Sequence, residues 1–227
     1  MVPALAHATG RPEPTVREVA RQLRVHGKIP GAGLAGYLAP EATLEDVAKV
    51  LLALLSGEKP TAAPADLERS AGLVITIAGR EASLLWTIQA ALAELVEHGE
   101  VSGGVADMSV EVARPWPCAL VRFAYQDGQT AVAEYHHVAA KTTGSAAEDA
   151  ANVAALVRRW GYRPGATRWG EVGLPGLRVI ADAFAERWAA AELQEVAPPQ
   201  VEPRPWVTSP STSLALLPPF LAGGGRG

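Results

Sequence analysis

Residues 117–137 read PCALVRFAYQDGQTAVAEYHH. Two β-favouring runs, 117–125 and 129–137, flank Gln126-Asp127-Gly128-Gln129. An Asp-Gly pair in that position signals a hairpin, because a type I′ turn needs positive φ at both central residues. Taking Asp127-Gly128 as a two-residue turn sets Phe123 opposite Val132 and Val121 opposite Glu134. Leu120 then stands opposite Tyr135 on the other side of the ladder. Upstream, 108–113 alternates weakly and adds a third strand. Pro115 and Pro117 cannot donate to a ladder, so they mark the entry to the middle run as an edge or a bend. The segment Leu73–Ile77 is also β-favouring. Most of the remaining periodic sequence has helical spacing, so the expected fold class is α+β.

Working outward, residues 15–56 read TVREVARQLRVHGKIPGAGLAGYLAPEATLEDVAKVLLALLS. Thr15 is a candidate N-cap, and Glu18 sits at the capping-box position. Val16, Val19, Ala20 and Leu23 form an apolar stripe, with Arg17, Arg21 and Arg24 on the other side and Lys28 just beyond. Gly27 suits the end of this helix. Thr43, with Asp46 three residues on, starts a second helix whose buried face is Val47, Val50, Leu51, Leu54 and Leu55. Gly57 and Pro60 close it. The linking segment spells G-x-G-x-x-G at Gly31, Gly33 and Gly36. A dinucleotide fingerprint needs a strand before it and a helix starting on it. Here a helix precedes it and Pro30 interrupts the approach, so it reads as a loop. Nor does 29–37 suit a recognition helix, since it holds one Pro and three Gly. The pair is either a helical hairpin with a solvated basic face or a nucleic-acid contact surface.

Further along, 61–72 is a connector or a short helix. Residues 80–98 form the strongest helical segment, with Leu84, Leu85, Ile88, Ala91, Leu92, Leu95 and Val96 at three-to-four spacing and Gly99 ending it. A helix over about 146–160 starts at Ser145 and carries Val153, Leu156, Val157 and Trp160 on one face. Residues 162–173 read as a Gly/Pro/Arg loop. Pro175 suits the first turn of a last helix reaching about Leu193, with Leu177, Ile180, Ala181, Phe184 and Trp188 inward. From Val196 the chain is Pro- and Gly-rich and cannot bury enough to order itself. The expected organisation is therefore a flexible arm (1–13), a helical head (14–60), an α+β body of helix, small sheet and two further helices (61–195), and a disordered tail (196–227).

The chain of 227 residues carries a net charge of −4, which by itself advertises no nucleic acid. The distribution is uneven: residues 1–40 hold five Lys/Arg against two Asp/Glu, and 41–115 hold five against twelve. A basic head on an acidic body can direct an anion to the head or dock the head on a second copy. A second basic group, Arg158, Arg159, Arg163 and Arg168, is interleaved with Trp160, Tyr162 and Trp169. Guanidinium groups bind phosphate and aromatic planes stack on bases, though the same residues suit a loop that packs its Trp inward. The single cysteine, Cys118, excludes a disulfide framework within one chain and points to a reducing interior. The first fourteen residues lack the charged and apolar regions of a signal peptide. No apolar run approaches the ~20 residues that span a bilayer, so no membrane partner is expected.

Catalytic patterns are missing. There is no C-x-x-C, H-E-x-x-H, Walker or G-x-S-x-G sequence. Glu134, His136 and His137 are the one His/acid cluster; a strand places Glu134 and His136 on one face, as a solvated pair or as two ligands short of a site. Cys118 needs a neighbouring base to act as a nucleophile, and reads otherwise as a buried apolar thiol. The expectation is a protein without enzymatic activity and without a cofactor.

The pattern Val16-Arg-x-Val19-Ala-x-x-Leu23-Arg, then Gly27-Lys-Ile-Pro30-Gly, then Ala42-Thr-x-x-Asp46-Val-Ala48-x-x-Leu51-Leu-Ala53 resembles uncharacterised proteins encoded in prophages of GC-rich proteobacteria. The resemblance covers about the first 60 residues. That pattern tends to carry Arg in its Gly loop, where this chain has Leu34 and Ala35. It implies phage biology in the cytoplasm of a bacterial host, or association with the virion, and assigns no residue a role. Two functions follow as expectations. One is a DNA-binding regulatory or accessory protein, with Arg17, Arg21, Arg24, Lys28, Arg158, Arg159, Arg163 and Arg168 on duplex phosphates. The other is a virion structural or assembly protein working as a homo-oligomer or with a phage partner, its contacts being the apolar stripes of the head, the edge of the hairpin and the tail residues Trp206, Leu216, Leu217 and Phe220.

Overall fold

The hairpin forms, with a different turn. In the computed structural model, which describes residues 1–31, 42–57, 59–77, 80–114, 118–137 and 168–194 together with 151 and 155, the Gly128 amide donates to Tyr125 O at 3.0 Å and the Tyr125 amide donates to Gln129 O at 2.9 Å. Gly128 has φ 83°. This is a three-residue loop, a β-turn followed by a left-handed glycine. The Asp127 carboxylate accepts from the Gln129 amide at 2.9 Å. The register therefore differs by one residue from the two-residue expectation: Phe123 pairs with Ala131, Val121 with Ala133 and Leu120 with Glu134. A one-residue slip exchanges the faces of a strand. The expected register would have set Val132 and Glu134 beside Val121 and Phe123. The observed one buries Ala131, Ala133 and Tyr135 there and turns Val132, Glu134 and His136 outward.

The described elements are α1 (Val2–Thr9), α2 (Glu13–Val25), α3 (Leu44–Ser56), a 3-10 turn (Pro60–Ala62) leading into α4 (Ala63–Ala71), β1 (Leu73–Ile77), β2 (Arg80–Ser83), α5 (Leu84–His98), β3 (Val105–Arg114), β4 (Cys118–Tyr125), β5 (Thr130–His137), β6 (Arg168–Gly173) and α6 (Leu174–Gln194). The fold is α+β. The hairpin sits inside a six-stranded sheet of order β2-β1-β5-β4-β3-β6 with antiparallel neighbours, twice the three strands expected. Val110, Val112, Val121, Phe123, Ala133 and Tyr135 line its buried face. Elements α3, α5 and α6 pack against the sheet. The buried Tyr135 hydroxyl lies 2.8 Å from Thr87 Oγ1 of α5, which satisfies both groups.

Two strands stand where sequence periodicity suggested something else. Residues 80–83 are β2 rather than the start of a helix, because the apolar three-to-four spacing begins only at Leu84. Ser83 is the N-cap, accepting from the Trp86 amide at 3.1 Å. Residues 168–173 are β6 rather than loop, paired with β3 from Ser109↔Gly173 to Arg114↔Arg168. Its two glycines weaken the β signal. Gly170 is required, since a Cβ there would collide with Leu55 O and Arg114 Nη2.

The expected flexible arm is also corrected. Residues 2–9 form α1, and Leu5 is fully buried. Pro3 sits in the first turn, where a missing amide costs nothing, and α1 lies on α6, α2 and β6. Helix α2 begins at Glu13 with Pro12 as N-cap, so Thr15 is already inside the first turn and no side chain caps it. Thr43 behaves as expected: its hydroxyl accepts from the Asp46 amide at 3.2 Å and the Asp46 carboxylate accepts from the Thr43 amide at 2.9 Å.

Helix α3 erases the boundary drawn between head and body. It is buried all round from Val47 to Ser56 apart from the half-buried Lys49, as a helix must be when neighbours surround it. Those neighbours are α1, α2, α4, α5, β3 and β6. One core runs from Val2 to Ala181. In α6, Leu177, Ile180 and Ala181 are buried as expected, Phe184 is half-buried, and Trp188 is stacked on it at 6.1 Å and exposed. Of the expected helix over 146–160 only Ala151 and Ala155 are described, both as helical; the rest of it, most of the Gly loop, and the tail from 196 lie outside the described residues.

Candidate nucleic-acid interface on the second helix

Val16, Val19, Ala20 and Leu23 bury one side of α2. Arg17, Arg21 and Arg24 follow at intervals of four and three and share one flank of α2, while Lys28 lies beyond the helix end at Val25, past the left-handed Gly27. To that extent the expected basic surface exists. The charges of Arg17, Arg21 and Lys28, however, are opposed by carboxylates of the same chain. Arg17 Nη2 donates to Glu13 Oε2 at 3.0 Å. Arg21 grips Glu18 with both arms, Nε and Nη2 each at 2.7 Å, and Gln22 adds a third donor at 2.8 Å. Lys28 Nζ meets Glu68 of α4 at 2.5 Å. Arg24 Nε donates to Ala20 O at 3.2 Å. The hydrogen bonds from Arg21 and then Gln22 hold the Glu18 carboxyl down to about 2. Glu18 was expected to cap the helix; with no hydroxyl at the N-cap, it turns to the next turn instead.

Arginines that sequence reasoning did not single out do more for the fold. Helix α3 has no basic residue in its last turn, so its terminal carbonyls need donors from elsewhere. Three arginines from distant elements supply them. Arg114 at the end of β3 donates from Nε to Leu55 O and from Nη2 to Leu54 O at 3.1 Å. Arg69 of α4 reaches Ser56 O at 3.1 Å. Arg11, between α1 and α2, reaches Gly57 O at 2.8 Å. Arg69 is also paired with the buried Asp66 at 2.6 Å. The Ser56 and Ser70 hydroxyls complete this buried polar knot on Leu52 O and Asp66 O. The one legible signal was Asp66-x-x-Arg69 beside a helix end lacking cations. Arg11, Thr15, Gly57 and Lys59 help line a small hollow next to the knot, with room for little more than a water molecule.

The second basic group is not assembled by the described residues. Arg158, Arg159 and Arg163 lie outside them, and Arg168 is placed only as the first residue of β6. The tail residues Trp206, Leu216, Leu217 and Phe220 also lie outside. On β5, His136 Nε2 stands 3.6 Å from Glu134 Oε2, both exposed. No group of three His, Cys, Asp or Glu among the described residues can hold a metal ion. Burial pushes the Cys118 thiol up to about 11, and the Glu134 charge adds to the rise. A thiol so placed is a poor nucleophile at neutral pH. No helix among the described residues is long and apolar enough to cross a membrane. Comparison with family models, with curated proteins and with solved structures finds no match.

Proposed function

We propose that this chain is a non-enzymatic structural or assembly protein that works by self-association, in the virion or during its assembly in the cytoplasm of a bacterial host. One contrast on the surface carries the reading. Arg17, Arg21 and Lys28 are engaged by carboxylates of their own chain, while Trp169 stands 45% exposed on β6, a terminal strand of the sheet among the described residues. A terminal strand offers its ladder to another strand, and an indole beside it adds apolar area to bury. On this reading Trp206, Leu216, Leu217 and Phe220 of the tail supply a second, tethered contact. The phage setting rests on the resemblance of the first 60 or so residues.

Duplex DNA contact by a regulatory or accessory protein is the less supported reading. Arg17, Arg21 and Lys28 would each exchange a carboxylate for a phosphate, so the gain is a difference between two ion pairs. Solvent screening leaves exposed pairs with little net free energy, and the exchange is therefore a matter of competition.

Sedimentation of the full chain from low to high micromolar concentration tests the proposal. The expected result is an average mass above that of the monomer, rising with concentration and lowered by Trp169→Ala. A strict monomer throughout sinks it. A parallel mobility-shift titration that retards duplex DNA, with affinity falling steeply as salt rises, would return the DNA reading to first place.

A further inference from the structure

We draw no further inference here: the strongest candidate, the apolar strip of Trp169, Ala113, Cys118 and Leu120 on the sheet face turned away from the helices, bordered by Glu111, Glu134 and Glu171, carries nothing because nothing among the described residues shows what covers it.

Discussion

Two sets of arginines in this molecule invite comparison. Those of α2 are evenly spaced, aligned and conspicuous in the sequence, and Arg17 and Arg21 among them end in local ion pairs facing water. Arg11, Arg69 and Arg114 are scattered over a hundred residues of sequence, and they converge on the carbonyls at the end of α3. The difference lies in what each guanidinium replaces. On α2 it replaces water around an exposed carboxylate, which changes little. At α3 it satisfies carbonyls that a buried helix end cannot offer to solvent. Linear charge spacing therefore pointed to the arginines with the weaker structural role.

The largest expected effect comes from the knot. Asp66→Ala leaves Arg69 without its partner in a buried site, and we expect a loss of about 3–5 kcal/mol in unfolding free energy. Urea denaturation at constant slope reads it directly; a loss no larger than that of a surface substitution would erase the distinction between the two sets. Arg114→Ala comes next. It strips donors from Leu55 O and Leu54 O, and the expected cost is about 1–3 kcal/mol, measured in the same way. Arg17→Ala on α2 should shift the transition by less than about 0.5 kcal/mol. A larger shift would mean that this surface holds the fold together after all.

The Glu18 carboxyl offers the subtlest check, because it asks whether the α2 pairs persist in solution. Its pKa is held below the ordinary value by Arg21 and Gln22. The stabilisation it provides is thus present above the unfolded pKa and is lost as pH falls from about 4.5 toward 2. Carboxyl-detected NMR should place its midpoint near the bottom of that range. A midpoint near 4.5 would show Arg21 released in solution, and would restore an unopposed cation to the stripe.

How much was legible differs from element to element. Helices α2, α3 and α5 were readable because each carries its own apolar spacing, and in α3 the start is also marked by the Thr43 cap, whereas the expected α5 starts four residues early, at Arg80, and passes over its Ser83 cap. Helix α1 was not: eight residues with an early proline are too short to hold a helix unaided, and Val2 and Leu5 form one only by packing on their neighbours. Strands β2 and β6 were missed because each is short and defined by the strand it pairs with. The hairpin was legible as a hairpin, yet its register rested on one choice between a two-residue and a three-residue turn. Among the site residues, the alignment of Arg17, Arg21 and Arg24, with Lys28 just beyond, was legible and the carboxylates facing them were less so. Glu13 and Glu18 are close in sequence, whereas Glu68 comes from another helix.

The sequence by itself determined the α+β class, the buried faces of α2 and α5, the start of α3, and the hairpin, because helical spacing, caps and an Asp-Gly turn act over a few residues. Tertiary structure alone decided that head and body share one core around α3, that the described strands form one six-stranded sheet, and which arginines matter to it. Those outcomes depend on carbonyls, carboxylates and ladder partners brought together from far along the chain, and no local pattern encodes such a meeting.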